Sequence, residues 1–161
     1  MKNKVLSRDA LLKKIRSIKE EGKTLGFTNG CFDILHPGHI DFIAKAKKHV
    51  DYLVLGLNSD SSVRAIKGNS RPINSQDFRA KILSALEDVD YIAIFDEPTP
   101  YEILSLIKPD YLFKGADWKD KVVVGRDILK EYGGKVKLLP YLKGYSTTSI
   151  LKKICKKNSI V

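Results

Sequence analysis

The spacing of apolar positions along this chain switches repeatedly between the period of a helix and that of a strand. Leu11, Leu12, Ile15 and Ile18 recur at helical spacing within residues 1–22, with Ser7 placed to cap the start. Leu25–Thr28 is a short β-rich run, and the pattern of Ile40–Val50 predicts a helix after it. Tyr52–Leu57 reads as a buried strand ending in Asn58-Ser59-Asp60. Residues 61–74 read as a basic, turn-rich connection, and Ser75 as the cap of a helix reaching Leu86. Further strands fall at Tyr91–Phe95, Tyr111–Lys114 and Val136–Leu139, separated by helical segments at Tyr101–Ile107 and Asp127–Tyr132. Pro109 stops the first of these helices and Gly133-Gly134 closes the second. A last helix starts near Thr147 or Thr148 and runs to about Lys157.

Five strands alternating with helices predict the α/β class, with a parallel sheet and right-handed crossovers. Residues 1–22 form a helical lead-in, and residues 23–161 one domain. Ligands of open α/β sheets sit outside the carboxyl ends of the strands. Those ends carry Thr28–Asp33, Asn58–Asp60, Asp96–Thr99, Lys114–Trp118 and Pro140–Thr148, so polar, glycine-bearing turns gather on one rim.

Composition narrows the class. A chain of 161 residues, 43% hydrophobic and 30% charged, suits one soluble globular domain. No apolar run approaches the roughly 20 residues of a membrane span, and no signal-peptide core follows Met1-Lys2-Asn3-Lys4. Cys31 and Cys155 are too few for a disulfide framework or a zinc cluster, so the expected compartment is the cytoplasm. The formal charge of +10 raises the question of a nucleic-acid partner. The basic residues are spread along the chain, however, without an arginine-rich arm or an aromatic-studded RNA motif. The reading is a lysine-rich surface with neither nucleic acid nor membrane as partner. Its positive field favours polyanionic substrates.

The chemistry concentrates in Thr28-Asn29-Gly30-Cys31-Phe32-Asp33-Ile34-Leu35-His36-Pro37-Gly38-His39. This order reads strand, glycine-containing turn, two histidines, helix start. A helix N-terminus favours an anion, and Gly30 and Gly38 let backbone approach a ligand closely. His36 and His39, three apart, point to one side of the first turn. Together they suit a phosphate chain. Gly22-Lys23-Thr24 imitates the end of a phosphate-binding loop, but Ser17 stands where that loop needs its first glycine, and a helix precedes it. Cys31 has no dedicated base near it in sequence and reads as structural. Asp33 suits ordering of the turn better than base catalysis.

His36-Pro37-Gly38-His39 resembles the HxGH signature of the nucleotidyltransferase superfamily, and the whole string from Thr28 resembles the adenylyltransferase domain of bacterial ADP-heptose synthases. Lys67-Gly68-Asn69-Ser70-Arg71-Pro72 is similar to that family's KGxxRP segment, and Arg79 to its helix arginine. Phe113-Lys114-Gly115-Ala116-Asp117-Trp118 resembles its KGxDY/W turn, and Ser146-Thr147-Thr148-Ser149-Ile150 its STT-x-I segment. Where relatives carry arginines flanking that last segment, this chain has Lys143 before it and Lys152 and Lys153 after it. Lysine does not reproduce a bidentate guanidinium contact.

The resemblance implies a Rossmann-like three-layer α/β/α fold with a five-stranded parallel sheet. It implies transfer of AMP from ATP, with Mg²⁺ on the triphosphate, to D-glycero-D-manno-heptose 1-phosphate, by a stand-alone enzyme acting as a homo-oligomer, a dimer. The implied catalytic residues are His36, His39, Lys67 and Arg71. Nucleotide contacts fall to Thr28, Asn29, Gly30, Cys31, Phe32, His36, His39, Asn58, Arg79, Lys114, Gly115, Ser146, Thr147 and Thr148. Substrate contacts fall to Asp33, Lys67, Asp117 and Trp118, and no residue is assigned to a protein-bound metal. A guanylyltransferase for the α-heptose phosphate and a cytidylyltransferase for glycerol 3-phosphate remain open beside this. So does a non-catalytic nucleotide- or RNA-binding module.

Overall fold

Neighbouring residues of one strand face opposite apolar layers. Val54 joins a cluster with Leu25, Phe27 and Leu112, whereas Leu53, Leu55 and Leu57 join a second cluster with Ile92 and Phe113. In this computed structural model, which describes residues 3–140, 142 and 144–158, that alternation marks the two faces of a five-stranded sheet. The elements in order are α1 (Arg8–Glu20), β1 (Leu25–Gly30), α2 (Pro37–Lys47), β2 (Tyr52–Asn58), α3 (Asp60–Lys67) and α4 (Gln76–Ser84). Then come β3 (Tyr91–Phe95), α5 (Tyr101–Ile107), β4 (Tyr111–Gly115), a 3-10 turn at Ala116–Trp118, α6 (Arg126–Tyr132), β5 (Lys135–Leu139) and α7 (Thr147–Asn158).

All strand pairings are parallel, in the order β3-β2-β1-β4-β5. Helices α1, α5 and α6 cover one face through Leu11, Ile15, Ile18, Ile103, Leu104, Ile107 and Leu129. Helices α2 and α4 cover the other through Ile43, Ala46, Ala80 and Leu83. This is the three-layer α/β/α arrangement expected from the pattern. Leu25, Phe27, Leu53, Leu55 and Leu57 are fully buried, and each such side chain contributes roughly 2 kcal/mol of transfer free energy.

Serine caps start three of the helices, two of them, at Ser7 and Ser75, as the sequence predicts. Ser7, Ser59 and Ser75 accept from the amides of Ala10, Ser62 and Phe78. The lead-in belongs to the same core, because α1 buries Leu11, Ile15 and Ile18 against β1 and its neighbours. Ahead of it, Val5 bridges Ile92 in parallel, with the Ile92 amide donating to Lys4 and the Leu6 amide to Ile92. This protects the exposed edge of β3.

Two expectations change. Residues 61–74 are not all turn, since α3 occupies Asp60–Lys67. The helix buries only Ser62 and Val63, so no apolar stripe announces it. The Ser59 cap and side-chain bonds from Ser62 hold it instead. Helix α2 begins at Pro37 rather than Ile40, because proline is well placed at the first helical position.

Candidate active site

Strand β1 is the centre of the sheet, and the chain winds outward from it in both directions. It pairs with β2 along its full length, from Leu25↔Tyr52 to Gly30↔Leu57. With β4 it pairs only at Gly26↔Tyr111 and Phe27↔Leu112. Beyond that point β1 and β4 part, and a crevice opens between their carboxyl ends, where the winding reverses. Lys114 reaches across the gap and donates from Nζ to Asn29 Oδ1 at 2.6 Å. Burial pushes its amine down to about 8, with Asp117 partly opposing the shift.

The crevice widens into a cavity of about 510 Å³. Strand β1 and its turn contribute Thr28, Asn29, Gly30, Cys31 and Phe32; α2 contributes His36, Gly38, His39 and Phe42. From the β2 side come Asn58 and, on α3, Ile66 and Lys67. From the β4 side come Lys114, Gly115, Asp117 and Trp118. Pro98, Thr99, Pro100, Val124, Leu142 and Tyr145 complete the wall.

The turn after β1 is forced into shape. Phe32 sits at φ 45°, a left-handed conformation that strains a bulky residue. Its ring lies 3.2 Å from where a Cβ on Gly30 would stand. His36 occupies the cap position of α2 without capping it through its side chain. Gly38 leaves room for the His36 ring, since a Cβ there would stand 3.1 Å from His36 Nδ1 and press on it. The imidazoles of His36 and His39 then stack, with centroids 3.6 Å apart and planes 17° from parallel. Phe32 flanks His39 with centroids 5.2 Å apart. Both Nδ1 atoms are buried without a hydrogen-bond partner among the described residues.

Burial pushes the His39 ring down to about 4, helped by His36, and burial lowers His36 as well. Two neutral rings at a helix start form a donor pair whose chemistry suits an anion. The sign of the stability effect follows. Between about pH 6.5 and pH 4 the unfolded chain protonates His39 and the folded chain does not, so stability falls as pH falls through that window. The expected loss is roughly 2 kcal/mol after allowance for the ring's partial exposure. Urea unfolding from pH 7 to pH 4.5 checks this against His39→Gln, in which the pH slope should flatten; an equal slope in the variant refutes it.

Several charged residues expected to touch ligand are turned inward. Asp33 is 3% exposed and accepts from Ile73 N at 2.8 Å, Asn74 N at 2.9 Å and Arg71 Nε at 2.5 Å. Burial alone would raise its carboxyl, but the Asn74 and Ile73 amides and then Arg71 hold it below the usual range. Asp33 therefore anchors the loop before α4 and does not line the cavity. Arg71, expected to handle phosphate, is its ion-pair partner and does not line the cavity either.

Arg79 is 1% exposed. It donates to the carbonyls of Asn74, Cys31 and Asn58 and to the Asp60 carboxylate, so it ties together the turns after β1 and β2 rather than meeting a nucleotide. Ser146, Thr147 and Thr148 stand beside the cavity but not in its wall, to which their neighbour Tyr145 contributes. Ser146 and Ser149 exchange hydrogen bonds at the start of α7. Lys143 lies outside the described residues, and Lys152 and Lys153 are exposed.

Some wall residues had no assignment from sequence. Phe42 was detectable as one helical turn beyond Gly38. The Pro98-Thr99-Pro100 segment shows as a loop at the rim, but nothing in its composition marks it as a ligand wall.

A parallel sheet opened at its winding reversal, with a histidine pair at the following helix start, defines a nucleotidyltransferase-type domain. The chain belongs to the cytidylyltransferase-like family, whose profile matches residues 27–153. Its relatives include the Bifunctional protein HldE of Wolinella succinogenes, 52% identical over 151 residues and 94% of this chain. That of Campylobacter concisus is 55% identical over 143 residues and 89% of this chain. The chain spans about a third of these relatives' length, 31% and 29% respectively. A lipopolysaccharide core biosynthesis protein from Thermoplasma volcanium superposes with a TM-score of 0.61 at 29% identity, covering 78% of this chain and 100% of that one. A pantoate-beta-alanine ligase from Francisella tularensis shares the fold, with a TM-score of 0.60 at 19% identity over 98% of this chain and 78% of that one.

Proposed function

We propose that this chain catalyses adenylyl transfer from ATP to a sugar 1-phosphate, with D-glycero-β-D-manno-heptose 1-phosphate as acceptor, giving ADP-heptose and pyrophosphate for lipopolysaccharide core synthesis. The observation that carries the reading is the stacked His36–His39 pair at the start of α2, facing a crevice that Lys114 spans. The similarity to HldE proteins supports the choice of sugar.

In this reaction a phosphate oxygen of the acceptor forms a bond to the α-phosphorus of ATP as the bond to the β-phosphate oxygen breaks. The electron pair leaves with pyrophosphate. The attacking phosphate is already ionised near neutral pH, so no general base has to remove a proton. That agrees with a cavity whose one acidic side chain among the described residues, Asp117, is engaged by Lys121 at 3.2 Å. The protein's work is in-line positioning and stabilisation of the charge that develops on the phosphates. His36 and His39 meet the phosphate chain at the start of α2, and Lys67 approaches from the end of α3. Trp118 offers an aromatic face on the β4 side, flanked by Lys114 at 5.1 Å and Lys121 at 5.4 Å. Next to it Gly115 permits close backbone approach, which suits the nucleoside. Mg²⁺ enters with the nucleotide, held mainly by its phosphates. Both substrates are soluble phosphates, which fits a cytoplasmic enzyme.

The test is pyrophosphate release over a grid of ATP, GTP and CTP with Mg²⁺ against the α- and β-heptose 1-phosphates and glycerol 3-phosphate. The expected result is one dominant combination, ATP with the β-heptose phosphate. A dominant combination elsewhere reassigns the substrates, and an empty grid with folded protein overturns the reaction.

A further inference from the structure

One wall of the cavity is held by residues that lie outside it. The loop leaving β3 presents Pro98-Thr99-Pro100 to the cavity. The two prolines fix φ within the segment, so its position is set largely at its ends. Pro100 is buried at the start of α5 and secures one end. Glu97 secures the other. Its carboxylate is held by the guanidinium of Arg8, the first residue of α1 and 89 positions away in sequence. Glu102 stands 3.7 Å from the same guanidinium. The Glu97 carbonyl accepts from Ser62 Oγ at 3.0 Å, and Ser62 Oγ accepts from Asn58 Nδ2 at 2.9 Å. Asn58 itself lines the cavity. A second tie runs from Ser61 Oγ to the Asp96 carboxylate at 3.2 Å.

Arg8 is a firm point of attachment because α1 is set in the core by Leu11, Ile15 and Ile18. The Arg8 side chain is 43% exposed. A pair this open adds little to global stability, so its effect is local to the loop it holds.

The cavity extends from the histidine pair in two directions. Toward β4 it has an aromatic face and a glycine. Toward β2 it has Lys67 and Asn58, and the proline-flanked wall with Thr99 adjoins them through the ties of Asp96 and Glu97 to Ser61 and Ser62 of α3. The first suits a nucleoside and the second a small phosphorylated acceptor. We infer that the Arg8–Glu97 ion pair positions the Pro98-Thr99-Pro100 wall against the acceptor sugar phosphate, which makes Arg8 and Glu97 positioning residues of the transfer reaction. This rests on the adenylyltransferase reading for the identity of the acceptor.

The experiment measures KM for ATP, KM for the β-heptose 1-phosphate and kcat in the wild type, Arg8→Ala, Glu97→Gln and Arg8→Lys. Amide hydrogen exchange at Thr99 and Tyr101 is followed in the same proteins. Arg8→Ala and Glu97→Gln should each raise the acceptor KM about fivefold, the upper range for loss of a partly exposed ion pair. The ATP KM and kcat should stay within about twofold, Arg8→Lys should recover most of the loss, and exchange should speed up in the loop alone. Unchanged acceptor KM, or equal rises in both KM values, overturns the inference. If the wild type turns over no acceptor, the reaction reading fails separately. Exchange then decides the anchoring: faster exchange confined to the loop sustains Arg8 as its anchor, and unchanged exchange overturns that too.

Discussion

Replacing His39 with alanine is expected to lower turnover by about 100-fold or more, the scale of losing one preorganised donor to a developing charge. The size follows from the way the ring is held. It is clamped between His36, with centroids 3.6 Å apart, and Phe32, with centroids 5.2 Å apart, so it is aimed before any ligand arrives. Its Nδ1 has no protein partner to lose among the described residues, so near neutral pH the variant gives up ring packing against His36 and Phe32 but no hydrogen bond. The protein should therefore stay folded near neutral pH while turnover collapses. His36→Ala should have a similar cost. The double variant should be scarcely worse than either single one, because stacked rings that serve one phosphate chain act as a unit. Steady-state pyrophosphate release, with thermal melts as a folding control, checks all three. Near-normal turnover in folded His39→Ala would remove this residue from the mechanism.

The histidine pair was legible because its chemistry is contiguous: strand, turn, HxGH and helix start occupy twelve consecutive residues. The strands were legible because β-branched and leucine-rich runs fall between clear turn signals, and Tyr91–Phe95 is observed with those limits. Charged residues behaved differently. Sequence shows that Arg71 and Arg79 are cations in segments that flank the rim of the sheet, but not which anion each meets. Asp33, 38 positions before Arg71, supplies that anion for one, and three backbone carbonyls with Asp60 supply the acceptors for the other. Those partners come together only after β1, β2 and α4 have packed. Helix α3 was hidden for a related reason, since it is held by polar ties to Asn58 and Glu97 rather than by an apolar stripe. The two directions of the cavity depend on where β1 and β4 part company, a register property that no local pattern encodes.

Arg79→Met is expected to destabilise the protein by about 3–5 kcal/mol, the scale of removing one partner from a buried ionic network. The guanidinium is fully enclosed and makes four bonds, to Asn74 O at 3.0 Å, Cys31 O at 2.6 Å, Asn58 O at 2.8 Å and Asp60 Oδ1 at 2.8 Å. Methionine roughly fills the volume but leaves those acceptors without a donor, and an unsatisfied buried polar group carries its full desolvation cost. For a domain of this size the melting temperature should fall by about 10 °C. Lysine rescues the site only in part, because one ammonium cannot match the planar fork that spans the turns after β1 and β2. Arg79→Lys should therefore fall between wild type and Arg79→Met. Nucleotide affinity separates this role from direct contact with ligand. If Arg79 only holds the turns, saturating nucleotide still binds the folded fraction of Arg79→Lys and raises its melting temperature by the increment seen in the wild type. If Arg79 touched phosphate, that increment would shrink while the unliganded protein stayed stable. Urea unfolding and melts with and without nucleotide distinguish the two, and a loss below about 1 kcal/mol in Arg79→Met, the net worth of a single ordinary hydrogen bond, would show that the four bonds are not what joins these turns.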